Sequence, residues 1–239
     1  MTGKRIKLIL ILVGLLVLVV IVSFQISKSR TFQFFGELVP RVNTPQKLVA
    51  LTFDDGPVPG STEEILSILN EQGIKATFFV TGAELEQNPA QGKLLAAAGH
   101  ELGNHSFSHK RMVLKTPAFI QTEIERTDDL IRQTGYQGAI HFRPPYGKRL
   151  LLLPYYLSRH SRKTILWDVE PDSFPEIADN ANSIVENVLA NAKSGSIILL
   201  HVMYPNRVES LKSVKGIVAG LKERDYLFKT VSELLALTN

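Results

Sequence analysis

The chain has 239 residues, enough for one domain with a full core, and it has no cysteine, which excludes a disulfide scaffold and any thiolate metal site. Its formal charge of +4 belongs to the N-terminus: the first 27 residues hold three Lys or Arg and no acid, leaving 24 basic against 23 acidic side chains in the rest. A nearly neutral remainder argues against nucleic acid as a partner.

Residues 1–7 read as a short cytoplasmic N-terminus. From Leu8 to Ser27 there is no charged residue, and a helix of that length crosses a hydrocarbon core of about 30 Å. The run is longer than a typical signal-peptide core, and no Ala-x-Ala cleavage site follows it. Residues 8–27 are therefore expected to be an uncleaved transmembrane signal anchor. The chain would then be a single-pass protein of the cell membrane, with its domain on the extracytoplasmic side. Residues 28–46 read as a linker whose Phe32, Phe34 and Phe35 are expected to pack under the domain, the alternative being that they dip into the membrane interface, and residues 47–239 as the domain itself.

Within it, short apolar runs alternate with amphipathic ones. Leu48 to Phe53 reads as a strand. Ser61 and Glu64 form a capping box before Ile65, Leu66, Ile68 and Leu69 at helical spacing, and Gly73 stops that helix. Ala76–Val80 is a strand, Pro89–Ala98 a helix and His100–Gly103 a strand. Thr116-Pro117 starts a helix with Ile120, Ile124 and Ile131 on one face. Ala139–Phe142 and Thr164–Trp167 read as strands, Ser183–Ala192 as a helix, Ser196–Leu200 as an apolar strand, Val208–Leu221 as a helix and Tyr226–Lys229 as a last strand. The alternation predicts an α/β fold with a mostly parallel sheet. Polar residues follow the strands at once, as at the C-terminal face of a barrel. The domain is short for eight units, so a distorted or incomplete (β/α) barrel is expected.

Four groups of residues carry chemistry. Asp54 and Asp55 are adjacent carboxylates at the end of an apolar strand. Like charges so close call for a cation or a base role, and neighbouring residues point apart, so one can bind an ion while the other faces substrate. His105 and His109, four apart, can reach one ion from one face of a helical turn. One Asp and two His leave open positions on that ion, which suits catalysis. Arg143-Pro-Pro-Tyr146 is a stiff segment that can hold a guanidinium against a carboxylate and aim a backbone N–H. His201, closing the most apolar strand, is a candidate general acid. His100, His141 and His160 show no partner pattern and read as structural.

These segments, in this order, resemble the polysaccharide deacetylase family, also called the NodB homology domain or carbohydrate esterase family 4, from about Lys47 to Leu235. The resemblance implies Asp54 as catalytic base and Asp55, His105 and His109 as ligands of a divalent metal, with Zn²⁺ expected and Co²⁺, Ni²⁺ or Mn²⁺ as alternatives. It implies Arg143 as the residue that orients the base and His201 as the acid. Pro144, Tyr146, Trp167 and Leu199 would contact substrate, Tyr146 through its N–H. The fourth motif departs from the pattern: in Trp167-Asp-Val-Glu-Pro-Asp-Ser-Phe174, Glu170 stands where an Asp is common and Ser173-Phe174 where Asp-Trp is common. Glu170 or Asp172 would then support Arg143. The implied activity is removal of acetyl groups from an N-acetylated or O-acetylated glycan of the cell envelope. The rival readings are a catalytically weak glycan-binding module and an amidohydrolase on a non-sugar amide. No pattern in the sequence speaks to oligomeric state.

Overall fold

The computed structural model describes residues 3–238. Residues 1, 2 and 239, which end the expected cytoplasmic tail and the expected domain, lie outside the described residues. Helix α1 (Gly3–Ser27) is apolar and long enough to cross a membrane, and its side chains are almost all exposed. There follow β1 (Leu38–Val39), β2 (Leu48–Asp54), α2 (Ser61–Glu71), β3 (Thr77–Val80), α3 (Gly82–Gln87), α4 (Pro89–Ala97), β4 (Glu101–Asn104) and α5 (Pro117–Gln133). The second half adds α6 (Leu152–Arg159), β5 (Thr164–Ile165), α7 (Pro175–Ala178), α8 (Ala181–Asn191), β6 (Ile197–His201), α9 (Val208–Lys222), β7 (Leu227–Phe228) and α10 (Val231–Leu235).

The strands form a distorted parallel barrel. Its regular part runs β4-β3-β2-β6. Single residues complete the ring: Asn104 bridges to Phe142, Phe142 to Thr164, and Val169 to Ile198 of β6, all parallel. The expected strand at Ala139–Phe142 is thus one bridging residue, and the strand at Thr164–Trp167 is a pair. β1 pairs with β5, while Arg41 pairs with Ser196 beside β6. Within the stretch 28–46, Val39 and Val42 are buried and join the barrel wall, while Phe32, Phe34 and Phe35, expected to pack under the domain, are 49%, 45% and 41% exposed. β7 pairs with β2 at Leu48–Val49, below the level where β3 pairs at Thr52–Asp54.

Alternation along the strands decides what faces the barrel interior. Val49, Leu51 and Phe53 of β2 pack outward with Ile65 and Leu69 of α2 and with Ile217 and Leu221 of α9. Leu48 and Ala50 face inward with Phe79, Leu199 and Trp167. The same parity carries Thr52 and Asp54 inward at the top of β2. In β6 it sends Ile198 and Leu200 to the helices, and Ile197, Leu199 and then His201 to the interior.

Local capping differs in one place from the expected pattern. Helix α2 is capped by Gly60, whose N–H donates to Glu63 at 2.6 Å, so the box sits one residue earlier than Ser61 and Glu64. Gly60 holds φ 84°, a conformation that costs a side-chain-bearing residue energy. α5 starts as expected, with the Thr116 hydroxyl accepting from Phe119 N.

One buried cation ties the end of α1 to the barrel top. Arg149 is 1% exposed. It donates to Ser29 O at 2.6 Å, Phe32 O at 3.1 Å, the Gln33 side chain at 3.0 Å and Gly147 O at 2.9 Å. Its own N–H donates to Ser27 O at 3.1 Å. Among the described residues no carboxylate pairs with it, and burial lowers its pKa to about 10.

Candidate active site and metal centre

The barrel's C-terminal end holds a cleft of about 200 Å³ lined by Asp54, Asp55, His105, His109, Tyr146, Trp167, Glu170, Ser173, Leu199, His201 and Arg207. Residues from six separate stretches of the chain meet there because each follows a barrel strand or bridge.

Asp54 is the last residue of β2 and is 2% exposed. Its Oδ1 accepts from Arg143 Nη1 at 2.6 Å, and its Oδ2 lies 3.4 Å from His105 Nε2. Arg143 is wholly buried; its Nη1 also donates to the Thr52 hydroxyl at 2.9 Å and its Nη2 to Leu166 O at 3.1 Å, while its Nε has no partner. Its guanidinium carbon sits 4.0 Å from the Phe79 ring centroid, a cation–π contact that fixes the plane of the fork. Burial alone would raise the Asp54 carboxyl, but Arg143, then His105 and His201, outweigh it and hold Asp54 below the ordinary carboxylate value.

Asp55 turns away from its neighbour because its backbone takes φ 75°. Its Oδ1 is buried without a hydrogen-bond partner and lies 3.4 Å from His109 Nε2. Two imidazoles and this carboxylate offer donor atoms that all lie within 4.8 Å of one another. The loop that brings the two His together is not helical: Ser106 and His109 have φ 66° and 53°. The convergence expected from a helical turn is produced by a tight loop after β4. The Asn104 side chain accepts from Ser106 N at 2.8 Å, and Glu123 of α5 accepts from Ser108 N and Oγ. His105 Nδ1 donates to Arg143 O at 2.8 Å in the tautomer that leaves Nε2 as a lone pair facing the cleft. Burial lowers the pKa of His105 against the pull of Asp54 and Asp55, so the ring is neutral and able to ligate. An orphaned buried carboxylate oxygen beside two imidazoles fits a divalent cation, and this donor set is one zinc accepts.

His201 stands across the cleft. Its backbone N–H donates to Asp172 Oδ2 at 2.6 Å, and its Nδ1 lies 3.2 Å from Asp172 Oδ1. Burial would lower its pKa, but the Asp172 hydrogen bond and charge, then Asp54 and Asp55, raise it to about 9. The imidazolium is therefore the resting form at neutral pH. Asp172 is wholly buried and also accepts from Ser210 Oγ at 2.9 Å.

Tyr146 is held at φ 57°. The hydrogen bonds of its turn run from Gly147 N to Pro144 O and from Lys148 N to Pro145 O, leaving the Tyr146 N–H outside them. Its ring, 53% exposed, packs 4.8 Å from that of His109. Leu199 lines the floor. Pro144 is buried and does not line the cleft; it shapes the Arg143–Tyr146 segment from behind.

The fourth motif is arranged differently from the expectation. Neither Glu170 nor Asp172 hydrogen-bonds Arg143. Asp172 serves His201, and Glu170 accepts from Trp167 Nε1 at 2.6 Å, from Ser173 Oγ at 2.8 Å and from Arg30 Nη2 at 2.5 Å. The longer Glu side chain reaches out to the indole and to Arg30, whose guanidinium also lies 4.9 Å from the Trp167 ring. Arg30 and Arg207, whose Nη1 donates to Asp172 O at 2.7 Å, were not singled out by sequence reasoning. Nothing local to either residue marks it, since their partners lie far along the chain. The three His read as structural are placed apart from the cleft. His100 accepts from Ala76 N at 3.2 Å, His141 bonds Ser232 Oγ at 2.9 Å, and His160 stacks on Tyr156.

Comparison with known proteins gives a consistent result. The family model described as polysaccharide deacetylase matches residues 41–163. A peptidoglycan-N-acetylglucosamine deacetylase of Bacillus cereus is 32% identical over 84% of this chain and 93% of its own length. The peptidoglycan-N-acetylmuramic acid deacetylase PdaC of Bacillus subtilis is 34% identical over 81% of this chain, which spans 40% of that longer protein. Among solved structures, a peptidoglycan N-acetylglucosamine deacetylase in complex with 4-naphthalen-1-yl-N-oxidanyl-benzamide superposes with a TM-score of 0.77 at 29% identity, covering 81% of this chain and 90% of that one. A carbohydrate esterase family 4 pseudoenzyme from Bacillus anthracis gives a TM-score of 0.71 at 25% identity, covering 82% of this chain and 67% of that one.

Proposed function

The chain belongs to the polysaccharide deacetylase family, and from that premise we propose that it is a metal-dependent enzyme removing N-acetyl groups from the amino sugars of peptidoglycan. The observation that carries the reading is the orphaned Asp55 Oδ1 beside His105 and His109, within a cleft that also holds the Asp54–Arg143 and His201–Asp172 pairs.

Asp55, His105 and His109 would hold the divalent cation, Zn²⁺ by its donor set. A cation bound there supplies Lewis acidity, which polarises an acetyl carbonyl and lowers the pKa of a water. Asp54, kept ionised by Arg143, takes the proton from the attacking water. Arg143 also fixes the direction of that carboxylate, because three of its contacts are made before substrate arrives. The Tyr146 N–H donates to the carbonyl oxygen as charge builds on it. His201 gives its proton to the leaving nitrogen, and Asp172 holds the imidazolium in place. Leu199 floors the acetyl site, and Trp167 forms its side wall.

Helix α1 supports a cell-membrane anchor with the domain outside, next to the wall glycan. A reporter fused to the C-terminus tests this topology; a cytoplasmic signal overturns it. Acetate release from peptidoglycan fragments and chitin oligomers, with and without chelator, tests the chemistry. Release that chelator abolishes and added Zn²⁺ restores is the expected result. No release from any acetylated glycan overturns the reading in favour of a binding-only module.

A further inference from the structure

A second hollow of about 260 Å³ adjoins the catalytic cleft and shares Tyr146, Trp167 and Glu170 with it. Its remaining polar side chains are all cationic: Lys28, Arg30 and Lys148. Arg111 stands at its edge, its guanidinium 5.2 Å from the Tyr146 ring. Glu170 is the acid in this lining, and it is engaged by Arg30 and Trp167. Among the described residues, Lys28, Lys148 and Arg111 have no carboxylate partner. Lys148 is half-buried, and burial, then Lys28 and Arg111, lower its pKa, which shows how close the cations stand. Like charges gathered without a counter-ion repel, so the arrangement is completed by an external anion.

We propose that Lys28 and Lys148 form a subsite for a carboxylate on the sugar next to the acetylated one, so that the segment after α1 takes part in substrate choice. This rests on the deacetylase reading for its substrate but is measurable without turnover. The hollow continues the catalytic cleft across Tyr146 and Trp167, so a ligand in it is an extension of whatever sits over Asp54. The segment is not free to leave, because Arg149 bonds Ser29 O, Phe32 O and Gln33 on one side and Gly147 O on the other. A carboxylate suits the site because an ammonium ion binds it as a point charge at short range.

The test uses the full chain in a neutral detergent. Two probes of equal length are compared: oligomers of alternating N-acetylglucosamine and N-acetylmuramic acid with free lactyl carboxylates, and chitin oligomers. Calorimetric binding to the wild type is expected to favour the carboxylated probe. The double variant Lys28→Ala/Lys148→Ala is expected to lower that preference about tenfold, and Lys148→Arg to keep most of it. In turnover the same loss falls on KM for the carboxylated probe. Equal affinity of the wild type for both probes, or a preference that survives the double variant, overturns the subsite. So does a variant that alters only binding to phosphatidylglycerol vesicles, since the cations would then face lipid phosphate. Wild-type binding with the expected preference but no acetate release keeps the subsite and overturns the deacetylase reading instead.

Discussion

On one side of the cleft, Asp54, His105 and Arg143 stand at the ends of β2 and β4 and beside the Phe142 bridge, each exposed by 2% or less. On the other side, Glu170 and Ser173 belong to an irregular stretch, and Glu170 takes one of its partners from Arg30, 140 residues away. The first wall is fixed by strand parity and by a guanidinium whose bonds all lie inside the barrel. The second is propped from outside by the segment that follows α1. Within one cleft, the atoms that move protons are held by the barrel, and those that border the sugar chain are held by a distant part of the sequence.

The sharpest way to break this contrast is Asp54→Asn. Acetate release is expected to fall by about 10²–10⁴-fold, while metal analysis still finds one ion per chain. Wild-type release by this variant removes Asp54 from the chemistry. His105→Ala comes next: the ion is lost, and with it the rise in melting temperature that added Zn²⁺ gives the wild type, worth about 2.7 kcal/mol at a hundredfold excess over Kd. A retained zinc-dependent shift would place the ion elsewhere.

Asp172→Asn tests the link between the two walls. The pKa of His201 is raised from 6.5 to about 9, so its contribution to stability is complete below pH 6.5 and is lost as pH rises through about 9. Removing the carboxylate takes away the leading cause of that rise. The His201 titration, followed by NMR in the metal-free protein, and the alkaline limb of kcat/KM should both move to lower pH. An unmoved titration would show that Asp172 does not set the charge of His201. The smallest effect is expected at Arg30→Ala. The Arg30–Glu170 pair is partly exposed, so stability should drop by about 0.2–1 kcal/mol, with a few-fold rise in KM and little change in kcat. A large fall in kcat would erase the distinction between the two walls.

Much of the first wall was legible in the sequence. β2, β6, α2, α5 and α9 are long enough to show their period, Gly73 stops α2 and Pro117 starts α5. The candidate ligands Asp55, His105 and His109 came from two strand ends, after β2 and β4, together with the family resemblance. The second wall was not legible, for reasons of length and distance. β1 and β5 have two residues each, too few for alternation to register, so the stretch 28–46 read as a linker without a strand. Phe142 closes the ring through one bridge on each side, which no periodic pattern announces. Glu170 or Asp172 was expected at Arg143 because motif spacing says which residue types occur together and not how far a side chain reaches. Arg149 gave no signal, since a buried Arg satisfied by backbone carbonyls looks like any surface Arg in the sequence.

That same Arg149 sets the mechanical character of the molecule. A flexible tether of about ten residues between a bilayer and a domain would let the domain wander over about 16–19 Å. Here the slack is removed, because the guanidinium holds the first residues after α1 against the loop that carries Tyr146. For an enzyme anchored by α1, the cleft then works at one height and one tilt above the lipid, like a tool clamped to a bench. On the proposed function it would trim the glycan strands that come to the membrane face, and its reach would be set by the length of a rigid body and not by the swing of a leash.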